Sequence, residues 1–241
     1  MFNSFIQNFK MNNQSIISDL FYAINCNITQ CQNCLTKLFN YQIYFFIVFP
    51  LEEVRKFKIN QLNQFNQFPQ FNQYNQYNQY NQFNQFNQYN NNINEVNIYD
   101  CFDYDRKINI MSGENSMYCN YCKMNSNCSM CTNLATGPKI LILLLNRGKG
   151  IEFDIKINFF EELNLYNYIQ FNNSGFKYKL IGVITHIGES GMGGHFIAYC
   201  FDPISKLWYK YNDSFVDEVK NFKSEVIDFA MPYLLFYQKI N

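Results

Sequence analysis

Cysteine pairs at a spacing of two set the strongest constraint on how this chain folds. Cys31-x-x-Cys34 and Cys119-x-x-Cys122 are far apart in sequence. Each has the spacing of a tight knuckle that turns both thiolates toward one point. Two such knuckles supply the four sulfur ligands of a tetrahedral Zn2+ site, provided two strands of a zinc ribbon bring them together. Cys31, Cys34, Cys119 and Cys122 are therefore the candidate metal ligands, and one structural Zn2+ is the expected cofactor. A third pair, Cys128-x-x-Cys131, leaves an alternative open, in which it closes a site with Cys119 and Cys122 and leaves Cys31 and Cys34 unpaired. The long-range pairing is favoured, because the five residues between Cys122 and Cys128 leave little room for two knuckles to face one another. Cys26, Cys101 and Cys200 have no partner at ligand spacing. Cys200, alternating with Tyr199 along a strand, reads as a small core residue.

Preferring metal to disulfides depends on the compartment. The opening MFNSFIQNFKMNNQ has neither the apolar core nor the small-residue cleavage site of a signal peptide. No stretch reaches the roughly 18 apolar residues of a membrane span. A reducing location, cytoplasmic or nuclear, is therefore expected, where paired cysteines bind metal rather than oxidise. Lys+Arg and Asp+Glu balance at 19 each. With zero formal net charge, no long-range field favours nucleic acid or an acidic membrane, and neither is expected as a partner.

The chain divides by composition. Residues 1–14 read as an N-terminal extension, and 15–59 hold SIISDLFY (a short helix), the first cysteine pair and a buried strand, YQIYFFIVF, over 41–49. Residues 60–95 are a low-complexity insert of NQF and NQY triplets. A period of three matches neither a strand nor a helix, so no face stays apolar. Such a tract is disordered by composition. It reads either as a tolerated expansion in an exposed loop, where added length costs little closure entropy, or as a segment for self-association. Residues 96–136 carry the second cysteine pair. From 137 to 241 the chain reads as successive strands at 139–147, 151–159, 178–186, 195–202, 206–212 and 232–239, several alternating with period two. A mainly antiparallel sheet with few helices follows.

Only two histidines occur. His195 follows GESGMGG and opens the strand HFIAYC; Gly191, Gly193 and Gly194 suit a loop that closes over a slender, extended ligand. If FDPISKL turns around Ile204, His195 faces Asp213 and Phe196 faces Asn212; a one-residue offset sets His195 opposite Asn212 instead. Either side chain can accept the imidazole Nδ1–H, which fixes the tautomer and leaves Nε2 to take a proton from a thiol. The bland alternative is a surface-strand histidine; the preceding glycines and the Asn-Asp pair across the hairpin favour catalysis. His186 ends its strand before Ile187-Gly188 and has no evident carboxylate partner, which suits a structural or cleft-lining residue better than a catalytic one.

GMGGHFIAYC…WYKYNDSFV resembles the histidine box of the ubiquitin-specific proteases, which are papain-like cysteine enzymes. SIISDLFY leading to Cys31-x-x-Cys34 is similar to the entry to that family's first zinc knuckle, SGENSMYCNYC to the second, GPKILILLLNR to the strand after it, and PYLLFYQK to the closing strand. The resemblance covers roughly 15–239 without the repeat tract. It implies an α+β, papain-like cysteine protease fold, with a mainly antiparallel palm sheet and zinc-ribbon fingers. It further implies that His195 is the general base, that Asn212 orients it, and that Asp213 supports the histidine or the oxyanion region. His186, Gly191, Gly193 and Gly194 would border the channel for the ubiquitin Gly-Gly tail. The implied partners are ubiquitin and ubiquitinated proteins, and the implied reaction is isopeptide hydrolysis.

Two departures stand out. The family's nucleophile lies in a box resembling G-N-T-C-Y-M-N, and none of the nine cysteines here follows Asn-Thr. The chain begins about where the family's second half begins, so the N-terminal thumb half is expected to be missing. The strand ending LLLNRGKG also has Asn146-Arg147 where the family shows Lys-Arg-Phe. Three readings follow: the C-terminal half of a thiol-dependent deubiquitinase catalytic domain, a catalytically inactive ubiquitin-binding or scaffolding protein, or, more weakly, a zinc-ribbon structural protein assembled through its Asn/Gln tract.

Overall fold

The computed structural model describes residues 2–66, 94–148, 153–170, 176–188, 193–228 and 231–240. The chain opens with helices α1 (Phe2–Asn13) and α2 (Ile16–Phe21), strands β1 (Ala23–Cys31), β2 (Lys37–Tyr44) and β3 (Ile47–Pro50), then helix α3 (Leu51–Asn66). Beyond the repeat come β4 (Glu95–Asn97), α4 (Ile98–Asp105), β5 (Asn109–Met111), β6 (Met117–Cys119), β7 (Met124–Ser126), β8 (Cys128–Thr136) and β9 (Ile140–Asn146). The remaining strands are β10 (Lys156–Asn158), β11 (Glu162–Asn164), β12 (Lys177–Ile187), β13 (His195–Phe201), β14 (Trp208–Asn212), β15 (Phe215–Glu218) and β16 (Pro232–Lys239).

Local sequence explains where the short helices start. Ser15 accepts from the Ser18 N–H at 3.1 Å while the Ser15 N–H donates to Ser18 Oγ at 2.9 Å, a reciprocal cap that opens α2. At α4 the Asn97 side chain accepts from the Tyr99 N–H at 2.9 Å while the Asn97 N–H donates to Asp100 Oδ2 at 2.7 Å. Period-two patterning sets the sheets. In β9, Leu141, Leu143 and Leu145 are at most 1% exposed, while Ile140, Ile142 and Leu144 on the other face are half-buried.

Two sheets dominate. A four-stranded antiparallel sheet, ordered β2-β1-β8-β5, is the finger portion. An eight-stranded sheet, β15-β14-β13-β12-β16-β9-β3 with β11 also on β12, is the palm, antiparallel except where β3 runs parallel to β9. Its buried face packs on α3, α4 and the 153–169 segment, with Phe49, Leu51, Phe102, Leu143, Ile155, Tyr178, Leu235 and Tyr237 in the main core. Each such large apolar side chain contributes roughly 1.5–3 kcal/mol. The α+β, mainly antiparallel architecture expected from sequence is thus present. No helix among the described residues is long and apolar enough to cross a membrane.

Four expectations need revision. The strand expected over 41–49 breaks at Phe45 and Phe46, 40% and 54% exposed, because there the chain leaves the finger sheet and enters the palm. The extension 1–14 is largely a helix, with Phe2, Phe5 and Ile6 packed on a small second core around Ile24, Cys26 and Ala135. β3, α3, β4 and α4 belong to the main core, and the repeat joins α3 to β4. Helix α3 takes up residues 60–66 of the insert, and the rest of the tract, 67–93, lies outside the described residues. Of the strand expected over 151–159, the described residues 153–159 form one only at Lys156–Asn158, and Ile151 and Glu152 lie outside the described residues.

Candidate functional site

His195 begins β13 and pairs with Ile187 of β12 on one side. On the other side β13 meets β14, with Phe201 opposite Trp208 and Ala198 opposite Tyr211. Asp202 anchors the intervening loop by accepting from the backbone N–H of Ile204 and Ser205 and from Ser205 Oγ, and Lys206 sits at φ 59. This loop shifts the expected register by one residue. Continued toward the open end, the ladder sets Asn212 opposite Ile197 and Asp213 opposite Phe196. Because side chains alternate, the slip moves Asp213 off the face of His195 and puts Asn212 on it. Asn212 then reaches His195 diagonally, with Nε2 and Oδ1 2.6 Å apart.

The ring nitrogens are used the other way round from the sequence expectation. An amide oxygen only accepts, so Nε2 carries the hydrogen and donates to Asn212, and Nδ1 keeps its lone pair. Asp213 stands further off, its Oδ2 3.7 Å from Nε2, in the β14–β15 turn at φ 51, and its side chain is largely solvent-exposed. None of the nine cysteines, all among the described residues, is a hydrogen-bond partner of His195. Cys200 lies on the same strand but at the alternate position, on the opposite face, where it is exposed and not the core residue expected from sequence.

His186 lies beneath the glycine loop. It is 8% exposed, ringed by Phe153, Phe196 and Tyr233 at centroid distances of 5.2, 5.0 and 5.9 Å, and its Nδ1 is buried without a partner. Gly194, at φ +143, passes so close that a Cβ there would come within 2.3 Å of the ring; Gly188 at φ +140 leaves only 3.1 Å. Here the need for glycine is steric as well as conformational. Around Gly193 there is open space, and Gly191 lies outside the described residues.

Arg147 escaped the sequence reading as a site residue. It is 1% exposed and continues the buried phase of Leu141, Leu143 and Leu145, a signal that period-two counting carries. Its Nε donates to the Pro232 carbonyl at 2.9 Å and its Nη1 to the carbonyls of Phe153 and Ile155 at 3.0 and 2.6 Å. Desolvation lowers its pKa to about 10. Arg147 thereby fixes the backbone of Phe153, and of Pro232 next to Tyr233, so it holds two walls of the aromatic box around His186.

At the far end of the finger sheet the four expected cysteines meet. Their sulfurs all lie within 4.8 Å of one another, with Cys31–Cys122 at 3.9 Å and Cys34–Cys119 at 3.7 Å. Sulfurs at about 2.3 Å from a tetrahedral Zn2+ stand about 3.8 Å apart, so the donor set and spacing fit that ion. The two knuckles repeat one geometry. Leu35 and Lys123, each just past its pair, both adopt φ 58 and donate to the carbonyls of Cys31 and Cys119 at 3.0 and 2.8 Å. The Cys34 N–H, then the Asn33 N–H, hold the Cys31 thiol down to about 6 against some desolvation. Cys122 is pushed up to about 12, first by Cys34, then by burial and by Cys119 and Cys31. Four sulfurs this close can all be deprotonated only with a cation among them. Cys128 stays outside the group and donates to the Ser126 carbonyl at 3.4 Å, and Cys131 faces Ile28 across the ladder.

The ubiquitin carboxyl-terminal hydrolase profile matches residues 2–237. The chain is 28% identical over 145 residues to Drosophila melanogaster ubiquitin carboxyl-terminal hydrolase Usp2, covering 58% of this chain and 15% of that protein. Identity to Gallus gallus ubiquitin carboxyl-terminal hydrolase 2 is 31% over 147 residues, covering 58% and 40%. For Arabidopsis thaliana ubiquitin carboxyl-terminal hydrolase 25 it is 33% over 137 residues, covering 55% and 20%. The fold is similar to a solved SAGA DUB module of Ubp8, Sgf11, Sus1 and Sgf73 bound to monoubiquitin, with TM-score 0.68 at 19% identity, covering 100% of this chain and 47% of that one. The chain spans less than half the length of these relatives. With the profile matched over nearly all its residues, the chain belongs to the ubiquitin carboxyl-terminal hydrolase family, in its ubiquitin-specific protease group.

Proposed function

We propose that this chain supplies the ubiquitin-gripping and proton-transferring half of a cysteine deubiquitinase, which hydrolyses the isopeptide bond between the ubiquitin Gly-Gly tail and a lysine. The observation that carries this reading is the 2.6 Å bond between His195 Nε2 and Asn212 Oδ1. It fixes the tautomer and leaves Nδ1 as the base. Nδ1 takes the proton of a thiol, the thiolate attacks the glycine carbonyl carbon, and Nδ1–H returns the proton to the departing lysine amine. Water then attacks the thioester, gives its proton to Nδ1, and the thiol is restored. The thiol comes from outside these 241 residues, since no cysteine of this chain meets His195. Asp213, exposed beside the pair, stabilises the imidazolium that forms.

The loop through Gly193 and Gly194, on its His186 floor, borders the tail of ubiquitin, and the finger sheet meets its globular body. Cys31, Cys34, Cys119 and Cys122 would hold a structural Zn2+, which cross-links the finger strands and takes no part in the reaction. Thiolate ligands of this kind belong in the cytoplasm or nucleus. Calorimetric titration with ubiquitin tests the reading. Binding is expected, and it is expected to weaken for ubiquitin lacking its two terminal glycines; equal binding of the two forms, or none, would count against it. The isolation of His195 from every cysteine favours a second reading, a ubiquitin-binding protein without catalysis.

A further inference from the structure

The finger site has a fifth cysteine that the metal cluster does not use. Cys128 is directly opposite Cys31 in the β1–β8 ladder, at its end. The next pair out, Gln32 and Asn127, is hydrogen-bonded, with the Gln32 N–H donating to the Asn127 carbonyl at 2.9 Å. Ladder pairs alternate, so Cys31 and Cys128 occupy a non-hydrogen-bonded position, where Cα atoms stand about 4.5 Å apart and side chains are closest. That separation lies within the roughly 4.4–6.8 Å a disulfide spans. The two thiols are only 4% and 3% exposed. Both nevertheless line a partly open cavity of about 280 Å³, with Cys119, Leu38, Met117 and Tyr121 around them. A water occupies about 30 Å³, so a small peroxide has room to enter.

We propose that Cys128 is the resolving thiol for oxidation of Cys31, so that the finger site exchanges its metal for a Cys31–Cys128 disulfide. The inference rests on the reading of the four-cysteine cluster as a zinc site. Hydrogen peroxide is the oxidant. The Cys31 thiolate attacks one peroxide oxygen, the O–O bond breaks, and after proton uptake Cys31 is a sulfenic acid with one water released. The Cys128 sulfur then attacks the Cys31 sulfur, the S–OH bond breaks, and the thiol proton leaves with the hydroxyl as a second water. The sulfurs lose two electrons and the peroxide gains two. With Cys31 gone, three thiolates remain and zinc is released. The disulfide keeps Cys31 from the irreversible sulfinic acid, so reductant restores the site.

The test exposes the zinc-loaded chain to hydrogen peroxide, reads released zinc with a chromogenic chelator, and maps disulfides in non-reduced digests by mass spectrometry. Zinc release is expected to parallel a Cys31–Cys128 linked peptide, and dithiothreitol with added zinc is expected to restore the parent chain. Cys128→Ala is expected to form no such link, to accumulate Cys31 sulfinic acid and to recover little zinc; Cys131→Ala should behave as the parent. Predominant Cys31–Cys34 or Cys119–Cys122 bonds, or full recovery of Cys128→Ala, would overturn the proposal. Should the purified chain carry no zinc, the cluster reading fails separately. Mapping the metal-free parent then decides the pairing by the same criterion, without any variant.

Discussion

His195 and Asn212 are bonded across a diagonal of the β13–β14 hairpin, because the ladder, continued one pair beyond Ala198 and Tyr211, sets Ile197 and not His195 opposite Asn212. Asn212→Asp places a carboxylate on the Nε2–H and is expected to raise the His195 titration midpoint above that of the parent. Asn212→Ala removes the orienting bond, at a cost of about 0.5–1.5 kcal/mol. With two histidines in the chain, NMR titration of their ring signals reads both variants. An unmoved midpoint in Asn212→Asp would place the side chain elsewhere.

Gly194→Ala drives a methyl group into the His186 ring, where a Cβ would lie 2.3 Å from both Cε1 and Nε2. Overpacking and the strain at φ +143 together are expected to cost at least about 2 kcal/mol and to displace His195, the next residue. Adding His186→Ala empties the space under the loop, so the double variant should lose less than the sum of the two changes. Urea denaturation of the four proteins in that cycle measures the coupling. Strict additivity would contradict the packing.

Asp105, the last residue of α4, has its pKa raised to about 6, chiefly by desolvation, with Lys107 opposing. Its folded-state pKa lies above the unfolded one, so its contribution to stability is full below about 3.9 and is lost as pH rises through about 6. Asp105→Asn is expected to be more stable than the parent at pH 7, by up to about 3 kcal/mol before discounting for partial exposure, and to flatten the pH dependence across that window. A parent curve rising between those limits, unchanged by the substitution, would show the carboxyl is not desolvated.

Elemental analysis should find about one zinc per chain, bound by the cluster of Cys31, Cys34, Cys119 and Cys122. Cys31→Ser should lose it and Cys128→Ser should keep it. The reverse pattern would return the site to a pairing of Cys119 and Cys122 with the cysteines at 128 and 131.

The four-cysteine cluster was legible because ligand spacing is local chemistry repeated twice, and the histidine hairpin because its glycines and its Asn-Asp pair flank two clear strands. Its register was not. That depends on how Asp202 and Lys206 fold the intervening loop, and a one-residue difference there exchanges Asn212 for Asp213 on the face of His195. The break at Phe45 and Phe46 was hidden because both residues have the aromatic character of the strands on either side, and only the crossing between sheets exposes them. The pairing of Cys128 with Cys31 follows from ladder register, which sequence spacing does not carry. Arg147 was readable in principle, since it falls in phase with three buried leucines, but a charged residue at a strand end is ordinarily taken as exposed.

The most direct test of the central claim, that this chain bears the base but not the nucleophile, is reaction of the zinc-loaded chain with ubiquitin carrying a C-terminal electrophile. The account predicts that the probe binds without forming a covalent adduct, and that peptide mapping finds all nine cysteines unmodified. A stable adduct at any one of them, formed by the parent and lost in His195→Ala, would contradict it.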